Sequence, residues 1–306
     1  MIKLNSNETP WDMPSDVKAR IAEAVAFNRY PSESDERSLI VSIARYLRVE
    51  PESVILTNGG DEAILLITMI SQGPVVFSDP GFDVPERVAR ALGRETIPLP
   101  PEEIPEARGG LGWLISPHNP MGFLYEYGEI AKASENYGVL AVDCAYWEFS
   151  EARPEFELAE GRNNTVFLGT FSKAWGLAGL RLGYIVAPAA MAGPLRAARL
   201  DYPVNGLAIR AALWALDNEE MLRERVELII REREKLKGFL AGLGLRICDT
   251  KANFVSFWGP RGLGEALRNK GVLIRQYDRP PGFYRVTVGT PEENSVFAET
   301  LKEVLG

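Results

Sequence analysis

The chain has 306 residues, with 34 Lys and Arg against 42 Asp and Glu, one His and two Cys. A zinc site normally takes three or four ligands, mostly from His and Cys, so this composition argues against a metal centre. The net charge of −8 argues against nucleic acid as the main partner. No apolar stretch approaches about 18 residues, so we expect no membrane span. The first residues lack a signal-peptide pattern, and we therefore expect a cytoplasmic protein.

The first two thirds of the chain alternate between short apolar runs and helical patterns. Helices are predicted over 61–70 and 84–92. Strands are predicted at 54–57, 75–77, 113–115, 139–142, 166–168 and 184–186. Apolar runs without alternation, separated by helices, predict a mostly parallel sheet covered by helices on both faces. The fold class is therefore α/β.

The last third of the chain has a different order of predicted helices and strands. Two long helices are predicted near 206–216 and 219–240. They precede predicted strands and helices at 245–247, 254–257, 264–269, 272–274, 284–288 and 292–304. This pattern indicates a small α+β domain, which the first 30 residues would join because they are too few to fold alone. We predict a large domain over 31–218 and a small domain made of 1–30 with 219–306.

One lysine lies in an unusual place. The chain has nine lysines, and between residues 19 and 234 only Lys132 and Lys173 occur. Lys173 follows a predicted strand, in a loop that also holds two hydroxyl side chains and Arg181, a suitable set for binding phosphate. Arginine cannot replace lysine where an amine must lose its proton and attack a carbonyl. Lys173 is therefore a candidate nucleophile, with an ordinary exposed surface lysine as the alternative.

Two further motifs follow predicted strands. Glycines at the start of a helix in Thr57–Glu62 would let backbone N–H groups approach an anion, although an ordinary turn with Asp61 as N-cap is the alternative. The buried strand pattern 139–142 ends in Asp143. Burying a charged carboxylate there costs free energy unless it pairs with a cation. An ordinary cap at the strand end is the simpler interpretation.

A fourth motif, Ser-Pro-His-Asn-Pro-Met-Gly, covers residues 116–122. Alone it predicts only a turn rich in Pro and Gly. His118 within it is expected to be structural rather than a general base.

Taken together and in order, these four motifs resemble those of the fold-type I pyridoxal-phosphate-dependent aminotransferases of class I/II, and most of all the histidinol-phosphate aminotransferases. Leu4–Glu8 and Tyr284–Thr290 add supporting matches, and the resemblance covers nearly the whole chain. It implies the pyridoxal-phosphate-dependent transferase fold, a bound pyridoxal 5'-phosphate, and a homodimer with shared active sites. The implied reaction moves an amino group between an L-amino acid and a 2-oxo acid.

The resemblance also implies roles for individual residues near the cofactor ring. Lys173 would hold the cofactor as a Schiff base and then act as the base at the substrate Cα. Asp143 would pair with the pyridine nitrogen and keep it protonated. Tyr146 and Asn119 would hydrogen-bond the phenolic oxygen, and Phe82 would stack on the ring.

Further implied roles concern the phosphate and the substrate. The phosphate would be held by Gly60, Asp61, Thr170, Ser172 and Arg181. Tyr30 would reach the neighbouring subunit's site. Arg285 would bind the substrate carboxylate. Arg275 would bind a second acidic group such as a phosphate. Simple solvation at a strand end is the alternative for both arginines.

The resemblance leaves several activities open. Histidinol phosphate with 2-oxoglutarate is the favoured substrate pair. A phosphothreonine decarboxylase-like enzyme, an aminotransferase for aromatic or other amino acids, and a catalytically silent regulatory protein that binds the cofactor are the alternatives. Two positions depart from the family pattern: Cys144 stands where Glu is usual, and Met121 where Thr is frequent.

Overall fold

A computed structural model shows how the chain folds and describes residues 1–150, 152–154, 156 and 161–306. Its strands are β1 (Ile2–Leu4), β2 (Val54–Thr57), β3 (Val75–Ser78), β4 (Thr96–Leu99), β5 (Gly109–Ile115), β6 (Tyr137–Asp143), β7 (Thr165–Thr170), β8 (Gly183–Val186), β9 (Phe254–Trp258), β10 (Val272–Tyr277) and β11 (Phe283–Thr287). Its α-helices are α1 (Ser15–Ala24), α2 (Glu33–Leu47), α3 (Gly59–Ile70), α4 (Val84–Ala91), α5 (Tyr127–Asn136), α6 (Ala189–Ala198), α7 (Gly206–Asp217), α8 (Glu219–Gly242), α9 (Leu263–Asn269) and α10 (Pro291–Leu305).

The larger sheet has seven strands in the order β2-β8-β7-β6-β5-β3-β4. β8 is antiparallel to both of its neighbours, and the other pairs that the sheet forms are parallel. The carboxyl ends of β3, β5, β6 and β7 therefore meet at one edge, which is where ligands bind in sheets of this type. The predicted α/β class with a mostly parallel sheet is confirmed.

Helices cover both faces of this sheet. Successive side chains of a strand point to opposite faces, so Ile55 packs in one apolar cluster and Leu56 in the other. The Ile55 cluster includes Ile64 of α3 and Leu195 of α6. The Leu56 cluster includes residues of α2, α5, α7 and α8. Burial on both faces explains why the strands read as continuous apolar runs.

A second, four-stranded sheet has the order β1-β10-β11-β9. β1 runs parallel to β10, with Ile2 opposite Val272, so the first residues of the chain complete a sheet built mainly from the last third. Asn218 separates α7 from α8. The predicted domain division at that residue stays a prediction.

The predicted strand at 245–247 is wrong. Within it, Ile247 makes an isolated bridge to Phe257, flanked by one backbone hydrogen bond on each side, and the pairing does not extend into a ladder. The predicted strand at 284–288 begins one residue earlier than expected and ends at Thr287. The helix after β2 begins at Gly59 with Asn58 as its N-cap, so Asp61 lies inside the first turn and is not the cap.

In the portion of the chain described above, no helix combines the length and the apolar character needed to cross a membrane.

Candidate active site

A cavity of about 230 Å³ opens at the carboxyl edge of the larger sheet. The residues that line it come from the first turns of α3, from the ends of β6 and β7, and from the loops that follow β3, β5, β6 and β7. They are Gly60, Asp61, Ile64, Phe82, Asn119, Asp143, Ala145, Tyr146, Leu168, Thr170, Ser172, Lys173 and Arg181. Every residue for which the sequence predicted cofactor contact, apart from Tyr30, therefore lies on one cavity.

Lys173 lies in the turn after β7, and its amine points into this cavity. The Nζ atom donates a hydrogen bond to the carbonyl of Ser6 at 3.1 Å and lies 5.6 Å from the centre of the Tyr146 ring. Burial, together with the positive charge of Arg285, lowers the pKa of the amine to about 8. The amine is therefore much closer to its neutral, nucleophilic form near physiological pH than an ordinary lysine is.

Asp143 ends β6 at the bottom of the cavity and is almost fully buried. Its Oδ1 atom accepts a hydrogen bond from the backbone N–H of Ala145 at 3.0 Å. Burial raises the pKa of the carboxyl to about 6, while the Ala145 N–H and the charge of Lys173 act in the opposite direction. A cationic group bound against this carboxylate would stabilise its charged form.

Thr170, Ser172 and Arg181 gather at one end of the cavity, beside the N-terminus of α3. Gly59, the first residue of α3, has a φ of +71°, and a Cβ there would lie 2.6 Å from Nη2 of Arg181. Only glycine permits this close approach of the guanidinium to the helix start. Free N–H groups of a first helical turn, two hydroxyls and a guanidinium together form an anion-binding site.

Asp61 contributes to this end differently from what its predicted role suggests. Its carboxylate pairs with Nη2 of Arg181 at 3.2 Å. A carboxylate repels a phosphate, so Asp61 can favour an anion only through its backbone N–H and by holding Arg181 in place. Arg181 itself has a left-handed backbone, with a φ of +55°, and also approaches Ser172 Oγ at 3.5 Å.

A hydrogen-bond chain connects the cavity wall to the smaller sheet. Arg285 of β11 is buried, and its Nη1 donates to Oδ1 of Asn119 while its Nη2 donates to the carbonyl of Asn5 at 2.9 Å. The Nε atom of Arg285 is buried without a hydrogen-bond partner among the described residues. Arg285 thus holds Asn119 in place without lining the cavity itself.

Three residues with predicted binding roles lie outside the cavity lining: Arg285, described above, and Arg275 and Tyr30. Arg275 is exposed on β10, with its guanidinium 5.6 Å from the centre of the Tyr277 ring. Tyr30 is 78% exposed and stacks on Tyr202, with the ring centres 4.4 Å apart. A role for Tyr30 in this chain's own cavity is therefore not supported, whereas a role in a neighbouring subunit's cavity stays a prediction.

His118 is structural, as expected. It is fully buried, its Nε2 lies 2.9 Å from Ser78 Oγ, and its ring stacks on Phe123. Burial lowers its pKa to about 3, which keeps the imidazole neutral. It supports the turn that carries Asn119.

Sequence reasoning missed Asn7 and Ser6 as residues of the site. Asn7 Nδ2 donates to the Tyr146 hydroxyl at 3.0 Å, and the Ser6 carbonyl accepts from Lys173. The run Leu4–Glu8 was noted as a supporting match, but its distance along the chain from the other motifs gave no sign of direct contact.

Comparison with known proteins decides the family. The family model for aminotransferase class I and II matches residues 1–301. The chain belongs to this family. A histidinol-phosphate aminotransferase from Symbiobacterium thermophilum is 36% identical over 330 aligned positions, which cover 100% of this chain and 91% of the relative.

Solved structures agree with the fold of this aminotransferase. Histidinol-phosphate aminotransferase from Sinorhizobium meliloti, in complex with pyridoxal-5'-phosphate, superposes with a TM-score of 0.89 at 23% identity, covering 99% of this chain and 90% of that one. L-threonine-O-3-phosphate decarboxylase from Porphyromonas gingivalis gives a TM-score of 0.86 at 23% identity, covering 100% and 99%. The predicted fold type and the predicted class, a pyridoxal-phosphate-dependent aminotransferase, are confirmed.

The residues present in this aminotransferase fit its family's cofactor. The cavity offers an anion-binding end at Arg181, a buried carboxylate at Asp143 that needs a cation, and an amine at Lys173. A molecule with a phosphate, a basic ring nitrogen and an aldehyde has one suitable partner for each of these groups: the phosphate for Arg181, the nitrogen for Asp143 and the aldehyde for Lys173.

Proposed function

We propose that this aminotransferase takes the amino group from a phosphate-bearing amino donor, with histidinol phosphate favoured, and delivers it to a 2-oxo acid such as 2-oxoglutarate. The observation that carries the proposal is one cavity that holds Lys173, Asp143 and Arg181 together. The Symbiobacterium relative, matched along the whole chain, supports the choice of donor.

Each cavity residue would then hold one part of the cofactor. Asp143 would bind the ring nitrogen, and Asn119 and Tyr146 would bind the phenolic oxygen. Phe82 would lie against the ring. The phosphate would be held by Thr170, Ser172, Arg181 and the backbone N–H groups of Gly60 and Asp61.

Lys173 would be the residue that attaches the cofactor covalently and transfers the substrate proton. When bound, the cofactor supplies an aldehyde and an electron-accepting ring. Lys173 would hold the cofactor through its Nζ, and when that amine is free and neutral it would accept the proton from the substrate Cα. Burial and Arg285 favour the neutral amine by lowering its pKa.

The two arginines of the smaller sheet would select the substrate. Arg285 would bind a carboxylate of the 2-oxo acid, and Arg275 would reach an acidic group such as the phosphate of histidinol phosphate. Exposure of Arg275 on β10 leaves its guanidinium accessible for this purpose.

A half-reaction screen tests this function directly. Loaded protein is mixed with histidinol phosphate or with each of a panel of amino acids, and the visible absorbance of the cofactor is followed together with formation of the keto product. Loss of the absorbance with histidinol phosphate, restored by 2-oxoglutarate, supports the proposal. Carbon dioxide release without keto-acid formation would instead identify a decarboxylase. No spectral change with any donor would favour a silent regulatory protein.

We propose further that the enzyme is a homodimer with shared sites, in the cytoplasm. Phe27, Tyr30, Leu200 and Tyr202 are exposed apolar side chains, and exposed apolar patches mark interaction surfaces. Mixing inactive Tyr30→Ala and Lys173→Ala variants tests the shared site. If Tyr30 acts in the partner's cavity, a mixed dimer has one cavity with both changes and one with neither, so activity returns. If Tyr30 instead acts in its own chain's cavity, each cavity of the mixed dimer carries one change and no activity returns.

A further inference from the structure

Asn7 uses all of its hydrogen-bonding groups and has no solvent exposure. Its backbone N–H donates to Thr287 Oγ1 at 2.9 Å, and its carbonyl accepts from Asn253 Nδ2 at 3.1 Å. In its side chain, Oδ1 accepts from Thr287 Oγ1 at 3.2 Å and Nδ2 donates to the Tyr146 hydroxyl at 3.0 Å. Asn7 therefore joins Thr287 of β11 and Asn253, the residue before β9, to Tyr146 in the cavity wall.

Thr287 fixes which way the Asn7 amide points. The Thr287 hydroxyl already accepts from the Asn7 N–H, so its own proton is available for Oδ1. The opposite end of the amide, with its two N–H donors, then faces Tyr146. Because the Tyr146 hydroxyl accepts a hydrogen bond from Asn7, it keeps its own proton to donate elsewhere. Tyr146 lines the cavity, so an acceptor bound there can receive that proton.

The neighbours of Asn7 show that this segment is part of the site. The carbonyl of Asn5 accepts from Arg285, and the carbonyl of Ser6 accepts from Lys173. Three consecutive residues thus each contact a different residue with a proposed role in catalysis or binding. Among them, only Asn7 acts through its side chain, so only its contribution can be removed by substitution without deleting the segment.

We propose that Asn7 is a positioning residue that orients the Tyr146 hydroxyl as a hydrogen-bond donor toward the cofactor's phenolic oxygen. This rests on the proposed placement of that oxygen against Tyr146. Donation from Asn7 polarises the hydroxyl and strengthens its own donation, as in any chain of hydrogen bonds. Loss of Asn7 weakens that donation and changes the proton affinity of the bound cofactor.

The test measures the pH midpoint at which the visible absorbance of the loaded protein changes. Asn7→Gly is the variant of choice because Asn7 has a φ of +54°, which glycine adopts without strain. We expect a shift of about 0.4–1 pH unit, in the same direction as the shift in Tyr146→Phe and no larger than it. In the Tyr146→Phe background, Asn7→Gly should produce no further shift. Thr287→Val, which removes the group that orients the amide, should shift the midpoint in the same direction.

Asn294→Ala is the matched control. Asn294 is also buried, in the same part of the fold, and is bonded to Gly289 and Glu232, away from Tyr146. It should lower the melting temperature without moving the midpoint.

The outcomes separate the two ideas. If Tyr146→Phe leaves the midpoint unchanged, the placement of the cofactor against Tyr146 fails, and the role of Asn7 fails with it. If Tyr146→Phe shifts the midpoint and Asn7→Gly does not, only the role of Asn7 is overturned. A shift from Asn7→Gly that persists in full in the Tyr146→Phe background would overturn it as well.

Discussion

Arg275 on β10 lies directly opposite Arg285 on β11, and of the two only Arg285 is buried. Like charges in this register repel each other. Asn119 and Asn5 brace Arg285, and both guanidiniums lie within 6 Å of the Tyr277 ring centre, at 5.6 and 5.9 Å. A bound anion would relieve the repulsion, which suits this pair to an acidic substrate.

Changes at the two arginines should therefore have different effects. Arg285→Lys keeps the charge but loses the planar fork, so we expect kcat/KM to fall about 10–100-fold for 2-oxoglutarate and for amino-acid donors, since hydrogen bonds to charged groups contribute about 1.5–3 kcal/mol. Arg275→Gln should lower kcat/KM for phosphate-bearing donors only. Steady-state kinetics with histidinol phosphate and with a donor lacking phosphate measures both. Equal losses for both donors in Arg275→Gln would contradict the assignment.

Lys173→Ala should lose turnover by at least about 10²-fold, because the amine that bonds to the cofactor and moves the Cα proton is absent. Single-turnover absorbance measurements with the loaded variant detect any remaining reaction. Lys132→Ala is the control, since Lys132 is exposed and pairs with Glu106 on the surface. Its activity should match that of the unchanged protein, and appreciable turnover in Lys173→Ala would show that another amine acts.

Asp143→Asn should fold normally and lose about 10²–10³-fold in kcat. The amide can still accept from the Ala145 N–H, whereas the cofactor's ring nitrogen would lose its charged partner, and breaking a buried pair costs about 3–5 kcal/mol. The melting temperature of the cofactor-free protein checks the fold, and kcat checks the chemistry. A variant that keeps full activity would remove Asp143 from the site.

Gly59→Ala should weaken cofactor binding and lower stability. The left-handed backbone costs about 1–2 kcal/mol for a residue with a Cβ, and that Cβ would displace Arg181. Gly238→Ala is a matched control: it lies within α8 with open space around the added methyl, and should gain about 0.5–1 kcal/mol. Titration of cofactor into both variants, beside thermal unfolding, tests the difference. Unchanged affinity in Gly59→Ala would place the phosphate elsewhere.

The lowered pKa of Lys173 predicts how stability depends on pH without cofactor. The folded amine titrates at about 8 and the unfolded amine at 10.5, so between these values the unfolded chain binds more protons and the free energy of unfolding rises with pH. Lys173→Met lacks this contribution. The difference in unfolding free energy between the unchanged protein and the variant should rise from pH 8 to 10.5 and stay level just below pH 8. Urea unfolding across this range measures it, and a flat difference would show an ordinary lysine.

The sequence was informative where local patterns determine structure. Val54–Thr57 was predicted with its bounds, because a strand buried on both faces is a continuous apolar run. β1 was not predicted as a strand, because three residues carry little local signal and its partner lies far along the chain. Leu245–Ile247 has the composition of a strand, yet only its contact with Phe257 decides its structure. The role of Asp61 as partner of Arg181 also depends on tertiary contact alone.

The pairing of β1 with β10 joins residues about 270 positions apart. During synthesis, the residues that contact Lys173, Tyr146 and Arg285 are made long before β10, and β1 has no strand to pair with until then. Closing so long a loop costs conformational entropy and slows folding. The larger sheet can assemble earlier, so we expect Lys173 to acquire its Ser6 contact only after β10 has been made.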